Sequence, residues 1–311
     1  MYDKILVGYD GHEGGADALA FAEVLAAATG APLLVGASYP RVAYHATIVA
    51  AGDLEEQMRV ETEERLTEAV KGVGAPAGLE ERVVSGSSPA AALHRLAVRE
   101  GADVVVLGSA SHGPVGRLLI GSTGNRLLHG APFAVAVAPR GYRESPGPLR
   151  SIGVGYDATA ESETALRTAA GLAAAAGARL RLLSVVEPAT ATWTFAPTAW
   201  QRGFSIDDLL EELVAERERE IERALAGIEG GIASDSEILT GSPAHELAEA
   251  AEGELDLLVV GSRGYGPLRR VLLGGVSFQL MRSAGCPLLA VPRGAADGAA
   301  GEESAEAEVT A

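Results

Sequence analysis

The sequence predicts an α/β protein built from two doubly wound parallel sheets in tandem. Three observations carry this: short apolar runs alternate with segments of helix length, the order of landmarks occurs twice roughly 150 residues apart, and a glycine-rich stretch follows the fourth apolar run of each copy. At 311 residues the chain has room for two domains and their cores.

In the first copy, ILV at 5–7 reads as a strand, and the alanine-rich stretch 16–28 as a helix ending at Gly30. A strand over 33–37 and a loop over 39–52 precede a charged helix at 54–70, whose Glu/Arg spacing predicts a solvated outer face. A short strand follows at 81–84. Ser88 caps and Pro89 opens the next helix, which runs to Arg99. VVVL at 104–107 is the fourth strand; the loop GSASHGPVGRLLIGS at 108–122, a helix after Ser122 and a fifth strand, AVAVA at 134–138, complete the unit. The second copy places strands near 152–154, 180–186, 237–239, 257–260 and 288–291, with the loop GSRGYGPLRRVLLGG at 261–275.

KILVGYD at 4–10 matches SIGVGYD at 151–157, GSSPA at 86–90 resembles GSPA at 241–244, and AVAVAPR at 134–140 matches PLLAVPR at 287–293. The strands are apolar along their whole length, as strands covered by helices on both faces must be. The expected division is a first domain at 1–142, a proline- and glycine-bearing linker at 143–149, a second domain at 150–293 and a disordered acidic tail at 294–311.

Composition narrows the partners. A formal net charge of −17, from 42 Asp and Glu against 25 Lys and Arg, makes the surface repel nucleic acid and anionic membranes, so neither is an expected partner. The single cysteine, Cys286, precludes an intramolecular disulfide and reads as a small buried side chain. A strand starting at Ile5 leaves no room for a signal sequence, and no apolar run nears the roughly 20 residues of a membrane span, which predicts a cytoplasmic protein. His112 stands where the other copy has Tyr265, and His94 and His245 lack ligating neighbours, so no metal site and no shared catalytic histidine are expected.

In a doubly wound sheet, ligands bind beyond the carboxyl ends of the strands where strand order reverses. With strands one and four as neighbours, Gly8, Tyr9 and Asp10 share a crevice with the loop at Gly108. Gly155, Tyr156 and Asp157 do the same with the loop at Gly261. A carboxylate that accepts from ribose hydroxyls or an exocyclic amine, facing a loop whose N–H groups donate to phosphate, is a layout for a nucleotide. The lysine of a P-loop is missing, as are the Gly-x-Gly-x-x-Gly and Gly-x-Ser-x-Gly signatures, so binding is better supported than turnover.

These motifs resemble those of the universal stress proteins, whose pattern is Gly-x-x-Gly, nine residues, then Gly-Ser or Gly-Thr after strand four, with an aspartate ending strand one. The resemblance covers both halves and implies two Rossmann-like domains, each a five-stranded parallel sheet of order 3-2-1-4-5. It implies ATP as ligand, with AMP or ADP as alternatives, with or without Mg²⁺, and a role in survival under stress. In the first site it assigns Asp10 to the adenosine, Ala37 to the base, and Gly108, Gly121 and Ser122 to the phosphates, with Leu107 and Thr123 beside them. Ser111 departs from the pattern where a second glycine is expected. In the second site Asp157, Val185, Gly261, Gly264 and Gly274 match, flanked by Val260 and Val276, while Gly275 replaces the hydroxyl residue. Arg117 and Arg270 hold equivalent loop positions, either contacting phosphate or solvated.

The resemblance further implies that the two fifth strands pair pseudo-symmetrically within the chain, and that two chains can dimerise. A slow ATP hydrolase using Asp10, Asp157 and the loop arginines, or an interaction module with empty crevices, are the alternatives. A long loop in the second copy carries Trp193, Phe195, Trp200 and Phe204, either tucked on its own domain or forming a contact surface or lid.

Overall fold

A computed structural model describes residues 2–41, 48–74, 77–110, 115–129, 131–188, 206–228, 231–262 and 274–292. The expectations placed on Ser111, His112, Gly264, Tyr265, Arg270, the aromatic loop and the tail at 294–311 lie outside those residues.

The first half runs β1 (Ile5–Tyr9), α1 (Glu13–Thr29), β2 (Leu33–Pro40), α2 (Ile48–Ala69), β3 (Leu79–Gly86), α3 (Pro89–Glu100), β4 (Val104–Gly108), α4 (Ser122–Leu128) and β5 (Ala134–Ala138). A 3₁₀ turn at Tyr142–Glu144 leads to the second half: β6 (Ser151–Gly155), α5 (Ala160–Ala176), β7 (Arg179–Val186), α6 (Ile206–Ala226), β8 (Ser234–Thr240), α7 (Pro243–Ala251), β9 (Leu257–Gly261), α8 (Gly275–Leu280) and β10 (Leu288–Val291). Helix α1 stops at Gly30, whose φ of 72° turns the chain and whose N–H reaches Ala26 O. Ser88 caps α3 by accepting from the Ala91 N–H at 3.3 Å, with Pro89 in the first turn. The charged helix α2 begins at Ile48, earlier than its acidic and basic spacing suggests.

All ten strands form one sheet of order β3-β2-β1-β4-β5-β10-β9-β6-β7-β8. Within each half the pairs are parallel. The halves join through β5 and β10 running antiparallel, Leu288 opposite Val137 and Ala290 opposite Val135, so the sheet as a whole is mixed. Successive side chains of a strand point to opposite faces, and the core divides accordingly. Ile5, Val7, Val104 and Val106 belong to a layer under α1, α2, α5 and α6; Leu6, Val105, Leu107 and Val135 belong to a layer under the other helices. Each layer runs unbroken through both halves, Ile5 and Ile152 sharing the first and Leu6 and Leu258 the second.

The expected linker does not start as free chain. The carboxylate of Asp17, fully buried on α1, accepts from Gly141 N–H at 2.8 Å and Arg143 N–H at 3.1 Å, and Tyr142 packs edge-on against Phe21 with ring centroids 5.4 Å apart. Arg143 also reaches Glu13. The turn that leaves the first domain is therefore held on that domain's first helix.

Cys286 is buried before β10, and its burial pushes the thiol up from 9.0 to about 12. The unfolded chain thus releases this proton at lower pH than the folded one. Stability is retained below pH 9 and falls as pH rises from there towards 12. The native protein is expected to leave Cys286 unmodified by a thiol reagent at pH 8, with one equivalent reacting after denaturation; fast labelling of the native chain would contradict the burial.

Candidate functional site

In the second half a cavity of about 620 Å³ opens at the carboxyl ends of the strands. Its position follows from the pairing: β6 lies between β9 and β7, so the chain leaving β6 is flanked by the ends of both neighbours. Eight of the residues expected from sequence meet there: Gly155, Tyr156, Asp157, Val185, Val260, Gly261, Gly274 and Val276. Leu183, Leu247 and Pro243 add an apolar wall.

Asp157 is oriented by its own turn. Its Oδ1 accepts from Thr159 N–H at 3.2 Å and Thr159 Oγ at 2.5 Å, and its backbone N–H donates to Ser162 Oγ at 3.3 Å. Thr159 simultaneously caps α5 by accepting from Ser162 N–H. Between them Ala158 has φ 60°, the single non-glycine residue with positive φ among the described residues; the corresponding turn of the first half uses Gly11 at φ 79°. A side chain in this region costs about 1 kcal/mol. Strain is therefore held directly behind the carboxylate. Thr159 and Ser162 line the cavity and were not expected from the motif, though a threonine just before an alanine-rich run is a readable N-cap signal.

Tyr156 is almost wholly buried and donates its hydroxyl to Glu163. Burial, reinforced by the Glu163 carboxylate, raises its pKa, so the phenol stays protonated and keeps its proton for Glu163. Helix α6 contributes Leu213, Glu216, Arg217 and Glu220 from above, with Arg217 at 3.1 Å from Glu220. Among the described lining residues Arg217 is the one cation, against Asp157, Glu161, Glu187, Glu216 and Glu220. The opposite end is different in kind. Gly274 precedes α8 in extended conformation with no side-chain cap, and Ser277 Oγ ties that helix to Gly261 O at 3.1 Å. A Cβ built on Gly275 meets nothing within 4 Å, so the missing hydroxyl residue leaves open space at the helix start.

The glycines of the motif differ in what they do. A Cβ on Gly108 would lie 1.8 Å from Gly14 O, and one on Gly261 would lie 2.5 Å from Glu161 O. The first glycine of each motif thus lets the start of α1 or α5 press on the end of β4 or β9. Gly121, by contrast, has φ −79° and only an ordinary contact with Ala110 at 3.7 Å, so packing does not demand glycine there.

In the first half Gly8, Tyr9 and Asp10 end β1 beside β2 and β4, Asp10 Oδ1 accepting from His12 N–H at 3.0 Å, and Leu107 packs against Gly8. Gly121 precedes α4, which opens with the exposed Ser122 and the half-buried Thr123. Two residues stand elsewhere than the motif implies. Gly36 is level with Gly8 and Leu183 with Gly155, so Ser38, not Ala37, holds the register position of Val185; Ala37 points into the core. Arg117 turns across to the second half, donating to Ser283 O at 3.1 Å and to both carboxylate oxygens of Glu252 at 3.0 Å. It does not reach towards Asp10.

Fold and site together define a tandem doubly wound α/β protein with a ligand-sized crevice at the carboxyl end of its strands. Comparison with known proteins gives the particular kind. The profile of the Universal stress protein family matches residues 1–139 and again 148–292. The chain belongs to the universal stress protein family, with two such domains in tandem. A universal stress protein of Mycobacterium tuberculosis H37Rv is 32% identical over 194 residues, 61% of this chain and 64% of that relative, so the match spans under two thirds of the relative's length. Among solved structures, a universal stress protein from Archaeoglobus fulgidus superposes with a TM-score of 0.65 at 18% identity, covering 94% of this chain and 99% of that one. A putative universal stress protein from Pseudomonas aeruginosa gives 0.60 at 16% identity, covering 94% and 95%. At these identities the likeness establishes the fold. No helix among the described residues is long and apolar enough to cross a membrane.

Proposed function

We propose that the chain is an adenine-nucleotide-binding regulatory module of the stress response, with ATP as its principal ligand and a crevice in each domain. The observation that carries this reading is the cavity of about 620 Å³ in which Asp157 faces Gly261 and Gly274 across apolar walls. Its size and its mix of apolar surface with a few placed polar groups suit a ligand of nucleotide dimensions. Leu183, Val185, Val260 and Leu247 would flank the base, and the ready-oriented Asp157 carboxylate would accept from ribose hydroxyls or the exocyclic amine.

The phosphates belong at the α8 end. There the backbone approaches closely, the helix start is uncapped, and the loop of sequence 263–273 carries Arg263, Arg269 and Arg270. The carboxylates beneath α6 repel phosphate and so fix the ligand's direction. A Mg²⁺ ion accompanying the nucleotide would lower that repulsion.

The nucleotide acts through occupancy: it orders the loops and changes what a partner meets, in the cytoplasm and in a form that can dimerise through its exposed faces. The decisive measurement is the identity and stoichiometry of nucleotide released on denaturing the purified protein. Asp157→Ala is expected to lower ATP affinity of the second domain by about tenfold to a hundredfold, the worth of hydrogen bonds to a charged group. Unchanged ATP binding by a chain carrying both Asp10→Ala and Asp157→Ala would overturn the assignment.

A further inference from the structure

We infer that the crevice of the first domain is completed from the second domain, so that the two crevices fill interdependently; the inference rests on the nucleotide reading above. The loop that follows Gly108 does not close on its own domain alone. Ala110 N–H donates to Leu119 O at 2.7 Å and Ser109 Oγ accepts from Leu119 N–H, which ties the loop's returning arm to the end of β4. The same arm then reaches out. Leu118 N–H donates to Ala284 O at 2.9 Å and Ile120 N–H to Met281 O at 3.0 Å, with Leu118, Met281 and Ala284 all fully buried. Arg117 adds its two-pronged contact with Glu252 and its bond to Ser283 O.

These anchors sit one residue or a few from Gly121 and Ser122, the positions the motif assigns to phosphate. The carbonyls among their acceptors, those of Met281, Ser283 and Ala284, lie on the turn that ends α8, and Glu252 lies at the end of α7. Helix α8 is short, and its other end, Gly274, Val276 and Ser277, lines the second crevice. A single six-residue helix therefore joins the wall of one crevice to the carbonyls that hold the loop of the other. Any ligand that shifts the start of α8 shifts Met281 O and Ala284 O with it, because a packed helix this short moves as a body. Arg117 is on this account a positioning residue. It touches no ligand, and it sets where Gly121 stands relative to Asp10.

The test separates positioning from direct contact with phosphate. ATP binding is measured by calorimetry at the first crevice in Asp157→Ala protein and at the second in Asp10→Ala protein, each with Arg117 intact, with Arg117→Glu, and with Arg117→Glu plus Glu252→Arg. Arg117→Glu is expected to weaken the first crevice about fivefold or more and to leave the second within about twofold, the lower range of coupling between sites. The exchanged pair is expected to restore the first crevice. Failure of the exchanged pair to restore it, equal losses at both crevices, or no loss at either would overturn the inference while leaving nucleotide binding intact. Absence of ATP binding to the unmodified chain would instead overturn the nucleotide reading, and this inference with it. As an independent readout, ATP added to Asp10→Ala protein is expected to slow hydrogen exchange at Leu118 and Ile120, whose amides cross the junction; unchanged exchange with the second crevice filled would count against the coupling.

Discussion

Gly108→Ala is expected to destabilise the protein by about 3 kcal/mol or more, the upper range for overpacking. The added Cβ would meet Gly14 O at 1.8 Å, and neither partner is a flexible side chain that can step aside. Relief requires α1 to withdraw from the end of β4. That opens the layer containing Phe21 and Val106 and displaces the turn carrying Asp10. Gly275→Ser serves as the control, because a Cβ there meets nothing within 4 Å; it is expected to leave stability unchanged and to tighten nucleotide binding in the second domain. The check is the midpoint of chemical unfolding for each variant. A cost below about 1 kcal/mol for Gly108→Ala would show that the helix start is free to move, and the motif's first glycine would then owe its place to the ligand instead.

The second large effect is expected from Asp17→Ala. The carboxylate is fully buried and answers two backbone N–H groups, those of Gly141 and Arg143, besides lying 3.7 Å from the Arg143 guanidinium. Its removal leaves both amides without an acceptor and costs about 3 kcal/mol, as for other broken buried polar pairs. Asp17→Asn keeps one acceptor oxygen and is expected to fall between. Hydrogen exchange at Gly141 and Arg143 locates the damage, and protection unaltered in Asp17→Ala would refute the assignment.

Much of the fold was legible because its signals are local. Four- and five-residue apolar runs such as VVVL and AVAVA, bounded by glycine and proline and spaced by helix-length segments, read as strands buried on both faces, and the repeated Gly-Tyr-Asp marks the corresponding ends of β1 and β6. What escaped the sequence depends on neighbours far away in the chain. Glu216, Arg217 and Glu220 went unread, because nothing in their spacing says that α6 packs over β7 and β8 at the mouth of the cavity. Arg117 matches Arg270 in the loop alignment, yet its partner Glu252 comes from the other domain, which no alignment of the halves reveals. Ala37 and Ser38 differ by one step of register, and one step exchanges core for crevice. The merging of two five-stranded sheets was implied only through the family, since β5 and β10 carry nothing in their own sequences that specifies an antiparallel partner.

The position of β10 has a consequence for how the chain is made. It lies at the middle of the ten-stranded sheet but leaves the ribosome after the nine other strands of that sheet. Until then β5, five fully buried residues in the finished protein, stands as a bare apolar edge on an otherwise complete first domain. Between Ala138 and Leu288 lie roughly 150 residues, which at about 5–20 residues per second keep that edge waiting for about 8–30 s. For that interval the nascent first domain carries the feature that most invites pairing with a stranger, and β10 is what ends the exposure.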